Sequence, residues 1–324
     1  MKVLVAIPCF NEELHISETV RSLKTQLSNV IDAFDLIVFD DSSSDNSIEL
    51  ALQAGAVVHT NRTNRGLGNN FNNIVNHAIA GDFDYLITCD ADGQFPPAEV
   101  EKIVAESIKN NADVILGSRF ANKDWSKTIP KNRTWGNKVV CKIVKFISGK
   151  KVSDATCGLR AYSKKALTIL NPTEKFSYTV ESISQLLLAN LRVIEIPIKV
   201  LYFENRRSTI SGSLFKYGIK TVAIGSRLAS SIALTRLLKK STWLIFIGII
   251  AEILFFYKSE KTGQFSGNLY LGLTGAMLFA IGLGSFYFYI VSLKLDQNLK
   301  NFQKIHQFLL TRNPNCRECV KNTR

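Results

Sequence analysis

The chain has 324 residues, 46% of them hydrophobic, which is enough for one large domain or for a domain with an appendage. Its formal net charge of +13 is unevenly placed: residues 1–118 carry 7 basic and 17 acidic side chains, whereas residues 201–324 carry 17 and 5. Because the basic end also contains the long apolar runs, a membrane surface is the expected anionic partner and nucleic acid is excluded.

The first 120 residues alternate short β-rich runs with helical patterns. Strands are predicted at KVLVAIP (2–8), DLIVFD (35–40), AVVHT (56–60), YLITCD (85–90) and DVILGSR (113–119). Helices are predicted near residues 12–27, 45–54, 69–80 and 97–110. This alternation predicts right-handed βαβ units and a mainly parallel sheet. Ligands of such sheets bind beyond the carboxyl ends of the strands, where the clusters CFNEE, DDSSSD and DADGQ fall.

Two carboxylates, Asp40 and Asp41, end the second predicted strand. A carboxylate there can accept a hydrogen bond from a base N–H or a ribose hydroxyl. The neighbouring residues are equally suited to cap the next helix, and both interpretations hold for adjacent side chains. The glycine-rich string NRGLGNN then supplies a turn through which backbone can approach a ligand.

The fourth predicted strand runs into Asp90, Asp92 and Gln94 at alternate positions. On an extended strand end these side chains point the same way, about 6.5 Å apart, and offer the oxygen ligands that Mg²⁺ or Mn²⁺ prefers. The alternative is a polar turn, since Asp and Gly favour turns. Together with the second acidic cluster, the pattern predicts a metal site.

A basic segment with a helical pattern, RTWGNKVVCKIVKFIS, follows after residue 119. One predicted stripe is apolar and another is basic: Trp135, Val139, Ile143 and Ile147, against Lys138, Lys142 and Lys145. Two interpretations stay open. The helix packs on the domain with a solvated lysine face, or it lies at the lipid headgroups.

The last part of the chain predicts membrane attachment. A strand at VIEIPIKVLY closes the domain, and residues 211–240 form amphipathic juxtamembrane helices. Apolar runs at 241–257 and 269–293 then predict a transmembrane hairpin, and flanking basic residues place the catalytic domain and the tail, 294–324, in the cytoplasm. A stripe of small residues, Ala276, Ala280 and Gly284, suits contact within the hairpin or between subunits of a homo-oligomer.

Six ordered strings carry a family resemblance: IPCFNEE, DDSSSDNS, NRGLGNNF, CDADGQFPP, GSRF and SDATCGLRAY. Over residues 1–210 they resemble the family 2 glycosyltransferases of GT-A fold, and more narrowly the polyprenyl-phosphate (dolichol-phosphate or undecaprenyl-phosphate) sugar synthases. The resemblance implies an α/β, Rossmann-like catalytic domain and transfer of one sugar from a UDP- or GDP-linked donor to a polyprenyl phosphate, with Mg²⁺ or Mn²⁺.

The resemblance also implies site residues. Nucleotide-sugar binding is expected at Pro8, Asn11, Glu12, Asp40, Asp41, Asp90 and Asp92, and metal binding at Asp90, Asp92 and Gln94. The acceptor phosphate is expected at Arg119 and Arg133, with Asp154 as an acidic residue of the acceptor side and Glu181 as a carboxylate on the next helix. Asp92, Asp154, Arg119 and Arg133 are the expected catalytic group.

Three points stay open. Asp154 is an orienting residue or a base, or else a structural cap or an ion-pair partner of Arg160. Phe10 stands where the family often has tyrosine, so any contact of that hydroxyl is lost. The family's Arg-x-Gly-x-Ser-Lys string is degraded to NRRSTISGS, which leaves open whether Arg206 or Arg207 takes the phosphate-binding role.

The expected mechanism follows from the acceptor. A phosphate monoester, with a second pKa of about 6, is already a nucleophile near neutral pH and needs no strong general base. Attack opposite the leaving group predicts inversion at the anomeric carbon. The alternatives are a membrane glycosyltransferase with a hydroxyl acceptor, making glycolipid or polysaccharide, and a non-catalytic membrane scaffold.

Overall fold

The computed structural model describes residues 1–127, 129–172, 178–202, 242–263 and 265–312. The chain divides into two compact units, Met1–Gly225 with His306–Arg324, and Ser226–Ile305. The predicted juxtamembrane helices, together with Arg206 and Arg207, lie outside the described residues. Each unit is described by itself.

The first unit is built on one sheet, to which the described residues contribute seven strands. The strands are β1 (Val3–Cys9), β2 (Phe34–Asp40), β3 (Val57–Thr60), β4 (Tyr85–Thr88), β5 (Val114–Ser118), β6 (Arg160–Ser163) and β7 (Val193–Pro197). Their spatial order is β3-β2-β1-β4-β6-β5-β7, and β6 alone runs antiparallel, between β4 and β5. The mixed sheet confirms the predicted α/β class and most strand positions. Sequence analysis missed β6, a four-residue strand that begins with a buried arginine.

Eight helices cover this sheet in the described residues. They are α1 (Ile16–Leu27), α2 (Ser47–Gln53), α3 (Leu67–Ala80), α4 (Pro97–Asn110), α5 (Lys123–Ser126), α6 (Lys131–Ser148), α7 (Lys164–Leu167) and α8 (Thr179–Leu188). Local signals set several ends: Pro97 opens α4 at the position where a missing N–H costs nothing, and Gly149 ends α6 in the left-handed region at φ 74°.

Both faces of the sheet are buried, because successive side chains of a strand point to opposite sides. Val3, Val5 and Ile7 of β1 join the core under α1 and α4, while Leu4 and Ala6 join the core under α3, α6 and α8. A central strand of a parallel sheet therefore has no polar alternation, as the sequence VLVAIPC indicates. This packing fixes the carboxyl ends of β1, β2 and β4 at one edge.

Two histidines form an aromatic cluster on the side of β2 and β3. The rings of His59 on β3 and His77 on α3 lie 4.8 Å apart between centroids, and Phe39 stacks on His59 at 5.4 Å. Burial, together with the charges of His59 and Lys2, lowers the pKa of His77 to about 4. Burial also lowers the pKa of His59.

The second unit contains the helix α9 (Thr242–Thr262) and, up to Ile305, the long helix α10 (Leu269–Arg312). Among the described residues, one helical segment, Leu269–Val291, is long and apolar enough to cross a membrane. The expected span at 269–293 is therefore supported by length and composition, and the expected first span at 241–257 stays a prediction.

Glycines mediate the contact between α9 and α10. A Cβ at Gly248 would lie 2.7 Å from the Phe279 backbone N, and one at Gly275 would lie 3.0 Å from the Ala251 Cβ. The predicted small stripe lies on another face: Ala276 and Ala280 are exposed, and a Cβ added at Gly284 would have none of the described residues within 4 Å. The expectation that this stripe packs within the hairpin was wrong, because the side chains that meet α9 lie on another face of α10.

Candidate active site

The turn after β4 carries the predicted metal ligands. The strand ends at Thr88, and Asp90, Asp92 and Gln94 lie on a turn in which Gly93 has φ +69°. The Asp92 Oδ1 accepts the backbone N–H of Gln94 at 3.0 Å. The assumption of an extended strand end was therefore wrong, since residues 91–92 form a turn and Gly93 lies in the left-handed region.

The carboxylates of this turn fit a metal that is shared with a substrate. Among the residues that the structure describes, no group of three or more His, Cys, Asp and Glu side chains is placed to hold a metal ion. Mg²⁺ bound through one or two carboxylates, waters and substrate phosphates needs no such group. Asp90 and Asp92 are a matching pair of hard oxygen donors, both half-buried.

The loops after β1 and β2 are joined by hydrogen bonds. Asn11, in the left-handed region at φ 53°, accepts the Ser44 backbone N–H at its Oδ1 at 2.8 Å. The Glu12 backbone N–H donates to the Ser47 hydroxyl at 2.8 Å. Pro8 lies buried in β1, and Asp40 accepts the backbone N–H groups of the turn that follows it, residues 42–43. These predicted nucleotide-binding positions are therefore brought together at one edge of the sheet.

Asp41 holds the glycine-rich loop. Its buried carboxylate accepts the Asn61 side-chain amide at 2.8 Å, the Arg65 backbone N–H at 2.9 Å and the Gly66 backbone N–H at 2.7 Å. The bonds fix the entry to α3. Asp41 thus stabilises this loop, a structural role that the sequence pattern did not indicate.

Arg119 and Asp154 form a buried ion pair across 35 residues of sequence. Arg119 Nε donates to Asp154 Oδ2 at 2.7 Å and Nη2 donates to Oδ1 at 2.9 Å, while Nη2 also donates to the Thr156 hydroxyl at 2.7 Å. The Asp154 side chain is 0% exposed and that of Arg119 is 16% exposed. Of the alternatives for Asp154, the orienting role matches the geometry and the pairing with Arg160 was wrong.

The electrostatics of this pair make Asp154 a poor base. Burial alone would raise the pKa of Asp154, but the charge and hydrogen bonds of Arg119, together with backbone N–H donors, hold that pKa below its ordinary value. Asp154 also accepts the backbone N–H groups of Thr156 at 3.1 Å and Cys157 at 3.2 Å. The carboxylate therefore stays ionised and keeps the guanidinium in one orientation.

One loop, residues 154–158, contacts both the turn of residues 90–94 and Arg119. A Cβ at Gly158 would lie 2.6 Å from Asp90 Oδ1, so only glycine lets that carboxylate pack here. The Gly158 carbonyl accepts the Thr88 hydroxyl at 2.7 Å. The strings CDADGQ (89–94) and SDATCGLRAY (153–162) meet at this contact.

Arg160 stabilises the same loop by hydrogen bonds to its backbone. Its side chain is fully buried and donates to the carbonyls of Ala155, Cys157 and Thr179, each at 2.8 Å. The bond to Thr179 ties the loop to the first residue of α8. Glu181, on the first turn of α8, is 5% exposed.

Arg133 comes to the site on α6. The buried Asn137 donates to the Ser153 carbonyl at 2.8 Å and accepts the Ala155 N–H at 3.2 Å, which ties α6 to the Asp154 loop. The Arg133 guanidinium carbon lies 5.2 Å from the centre of the Tyr202 ring.

Tyr202 is a residue that sequence reasoning missed. Burial raises its pKa above the ordinary value, while the charges of Arg119 and Arg133 oppose the rise. The preceding residue, Leu201, donates its N–H to the Gln94 carbonyl at 2.9 Å. The segment after β7 therefore contacts both the turn of residues 90–94 and Arg133.

Comparison with known proteins identifies the family of this chain. The family described as "Glycosyl transferase family 2" matches residues 4–170. An uncharacterized protein of Methanocaldococcus jannaschii is 34% identical over 207 residues, covering 63% of this chain and 83% of that protein. A UDP-N-acetylglucosamine--dolichyl-phosphate N-acetylglucosaminyltransferase of Methanococcus voltae is 27% identical over 222 residues, covering 62% of this chain and 86% of its own.

Solved structures share the fold. Glucosyl-3-phosphoglycerate synthase of Mycobacterium tuberculosis, in complex with Mn²⁺, UDP and phosphoglyceric acid, superposes with a TM-score of 0.54 at 16% identity, covering 70% of this chain and 78% of that one. Its complex with Mg²⁺ and UDP gives 0.53 at 17% identity, covering 71% and 79%. The sheet is therefore GT-A-like. The chain belongs to glycosyl transferase family 2 and is a glycosyltransferase.

Proposed function

We propose that the enzyme transfers one sugar, with inversion, from a nucleoside-diphosphate sugar to a polyprenyl phosphate and releases a polyprenyl-phosphate-linked monosaccharide. The observation that carries the proposal is the orientation of Arg119 by the buried Asp154. Arg133 lies beside Tyr202, and the charges of both arginines act on the hydroxyl of that tyrosine. Hydrogen bonds to described residues use three of the five N–H donors of Arg119, so the guanidinium keeps donors for a phosphate. The dolichyl-phosphate relative supports the acceptor class.

A phosphate acceptor also agrees with the state of Asp154. A hydroxyl acceptor needs a base to remove its proton, whereas a phosphate oxygen is ionised near neutral pH without help. Asp154 is ionised but turned toward Arg119, so its role is to position the guanidinium. Arg119 and Arg133 then hold the phosphate, and catalysis rests on aligning its oxygen with the anomeric carbon.

The donor half is proposed to use Mg²⁺ or Mn²⁺. Asp90 and Asp92 would hold the ion, with Gln94 a neighbouring candidate, and the metal complexes of the mycobacterial synthase support this choice. When bound, such an ion neutralises the negative charge that develops on the leaving diphosphate. The nucleotide is proposed to bind at the carboxyl ends of β1 and β2 and in the loops that follow them, at Pro8, Asn11, Glu12, Asp40 and Asp41.

Membrane attachment is proposed through a hairpin of α9 and α10. The candidate span Leu269–Val291 and the close glycine contact between the helices support it. We propose a catalytic domain at 1–210, amphipathic helices at 211–240, the hairpin at 241–293 and a tail at 294–324, with domain and tail in the cytoplasm. The dolichyl-phosphate relative supports a lipid-linked acceptor at this membrane.

One feature favours a second candidate, a hydroxyl acceptor. Glu181 is a buried carboxylate on the first turn of α8, and α8 is tied through Arg160 to the loop that contacts Asp90. A carboxylate so placed could serve as a base. In that case replacement of Glu181 by Gln would remove activity toward every acceptor.

The test compares two acceptors in membranes that contain the protein. A panel of nucleotide sugars is incubated with Mg²⁺ or Mn²⁺ and either a polyprenyl phosphate or the matching polyprenol, and lipid products are identified by mass spectrometry. The proposal expects product from the phosphate alone, and retained activity in Glu181→Gln. Product from the polyprenol, lost in Glu181→Gln, would establish the hydroxyl acceptor instead.

A further inference from the structure

The exposed face of α6 combines large apolar side chains with lysines. Trp135 is 71% exposed and Phe146 is 74% exposed, values that are unusual for such large side chains on a packed helix. The lysines on the same side of the helix are also exposed: Lys131, Lys138, Lys142 and Lys145. The two aromatic side chains therefore stand in a field of positive charge.

Helix geometry places these side chains on one stripe. At about 100° per residue, Trp135 and Phe146 differ by roughly 20° around the axis and lie roughly 16 Å apart along it. Val144, in contrast, is about 180° from Trp135 and is 0% exposed. The helix is amphipathic in an unusual sense, because its outer face is both apolar and basic.

The charge on this part of the chain has one sign. From residue 125 to residue 153 there are eight basic side chains and no acidic one. A lysine face that contacts only water does not account for an exposed tryptophan and phenylalanine, whose apolar surface is unfavourable in water. Basic residues with aromatic side chains between them are instead typical of helices that lie in the interface of an anionic bilayer.

We propose that the outer face of α6 docks on an anionic lipid surface, with Trp135 and Phe146 inserted among the headgroups and the lysines on the lipid phosphates. The contact is separate from the proposed hairpin and does not depend on the transfer reaction. It brings the first turn of α6, which carries Arg133, to the depth at which a lipid phosphate is found. The membrane surface thus becomes part of the acceptor side.

The test follows Trp135 in the full-length protein. The chain has three tryptophans, so the double variant Trp125→Phe, Trp243→Phe leaves Trp135 as the reporter. This protein is placed in nanodiscs of equal parts phosphatidylglycerol and phosphatidylcholine, or of phosphatidylcholine alone, without nucleotide sugar. Emission and quenching by brominated lipids are measured.

The proposal expects blue-shifted emission and strong quenching in the anionic discs and a water-like signal in the neutral ones. In the same background, Lys138→Gln, Lys142→Gln, Lys145→Gln should lower the attachment equilibrium about 100-fold, as about 1 kcal/mol for each of three lysines gives. The matched control, Lys109→Gln with Lys165→Gln, removes exposed lysines from other helices and should leave the signal unchanged.

Two results would overturn the proposal. Water-like emission of Trp135 in both kinds of disc would show that the face is solvated, provided that thermal unfolding is unchanged by the tryptophan replacements. Protection of Trp135 from a soluble quencher by single-stranded RNA, without protection by the anionic discs, would assign the face to nucleic acid. Because no sugar is transferred, failure here leaves the proposed reaction untouched, and failure of the reaction leaves this contact untouched.

Discussion

Arg119 Nε lies 2.7 Å from Asp154 Oδ2, in a pair whose carboxylate is completely buried. Removing one partner of a buried pair leaves the other charge uncompensated. We therefore expect Asp154→Ala to cost about 3–5 kcal/mol of stability and to lower the melting temperature of the detergent-solubilised protein. An unchanged melting temperature would contradict this geometry.

A milder change separates positioning from folding. Asp154→Asn keeps the shape but loses the charge that orients Arg119, so the KM for the lipid phosphate should rise while nucleotide binding stays as in the wild type. The exposed pair of Asp82 with Lys164 is the control, because Asp82→Asn should change neither quantity.

Asp92→Asn tests the metal assignment. Asparagine retains an oxygen to accept the Gln94 N–H, so the turn should keep its conformation while the charge is lost. Metal-dependent transfer should fall at least about 100-fold with unchanged thermal unfolding. Wild-type turnover in this variant, or full activity in EDTA, would refute the metal site.

Arg133→Gln tests the acceptor half. Loss of a charge-assisted contact should raise the KM for polyprenyl phosphate about 10- to 100-fold and leave the KM for nucleotide sugar unchanged. Arg21→Gln, on the exposed side of α1, is the matched control. A change confined to the nucleotide-sugar KM would mean that the assignment of donor and acceptor halves is wrong.

Tyr202→Phe removes a hydroxyl whose pKa the charges of Arg119 and Arg133 lower, and keeps the ring whose centre lies 5.2 Å from the Arg133 guanidinium carbon. If that hydroxyl donates to the acceptor phosphate, kcat/KM for acceptor should fall about 10-fold or more, with nucleotide affinity unchanged. Tyr85→Phe, whose hydroxyl donates to the Ala112 carbonyl at 3.3 Å, is the control. Equal losses in both variants would indicate a structural effect only.

The histidine cluster predicts a pH dependence of stability. The pKa of His77 is about 4 in the folded protein, below its ordinary value of 6.5, so the unfolded chain binds the proton more tightly. His77 therefore leaves the free energy of unfolding unchanged above about pH 7. As the pH drops from about 6.5 toward 4, this residue lowers the free energy of unfolding by about 2 kcal/mol, after allowance for its partial exposure. Melting temperatures across this range should fall less steeply in His77→Phe, whereas His15→Gln should follow the wild type.

The fold was largely predictable because its signals are local. Buried runs such as VLVAIPC and the caps of α4 each specify their element without reference to distant residues. The errors concern the angular position of side chains around a helix and the contacts between residues far apart in sequence. Residues 135, 139, 143 and 147 repeat every four positions and so drift by about 40° each time, which rotates Trp135 about 120° from Ile147 and into solvent.

The contacts that organise the site were not predictable. Arg119 and Asp154 are far apart in sequence, and the local alternative, Arg160, is taken by backbone carbonyls. The alternation of acidic residues suggested an extended strand end, but the chain forms a turn in which Gly93 has a positive φ. Tyr202 carries no motif, and only the path of the chain after β7 brings it to the arginines.

The loop of residues 154–158 touches Asp90 at one end and holds Arg119 at the other. These five consecutive residues thus set the distance between the proposed leaving group and the proposed nucleophile. The described contacts of the loop do not include a site for the hydrocarbon tail of the acceptor. The enzyme would then be tolerant of chain length and strict about the terminal phosphate. A short, water-soluble isoprenyl phosphate should be a working substrate, limited only by its affinity for the membrane.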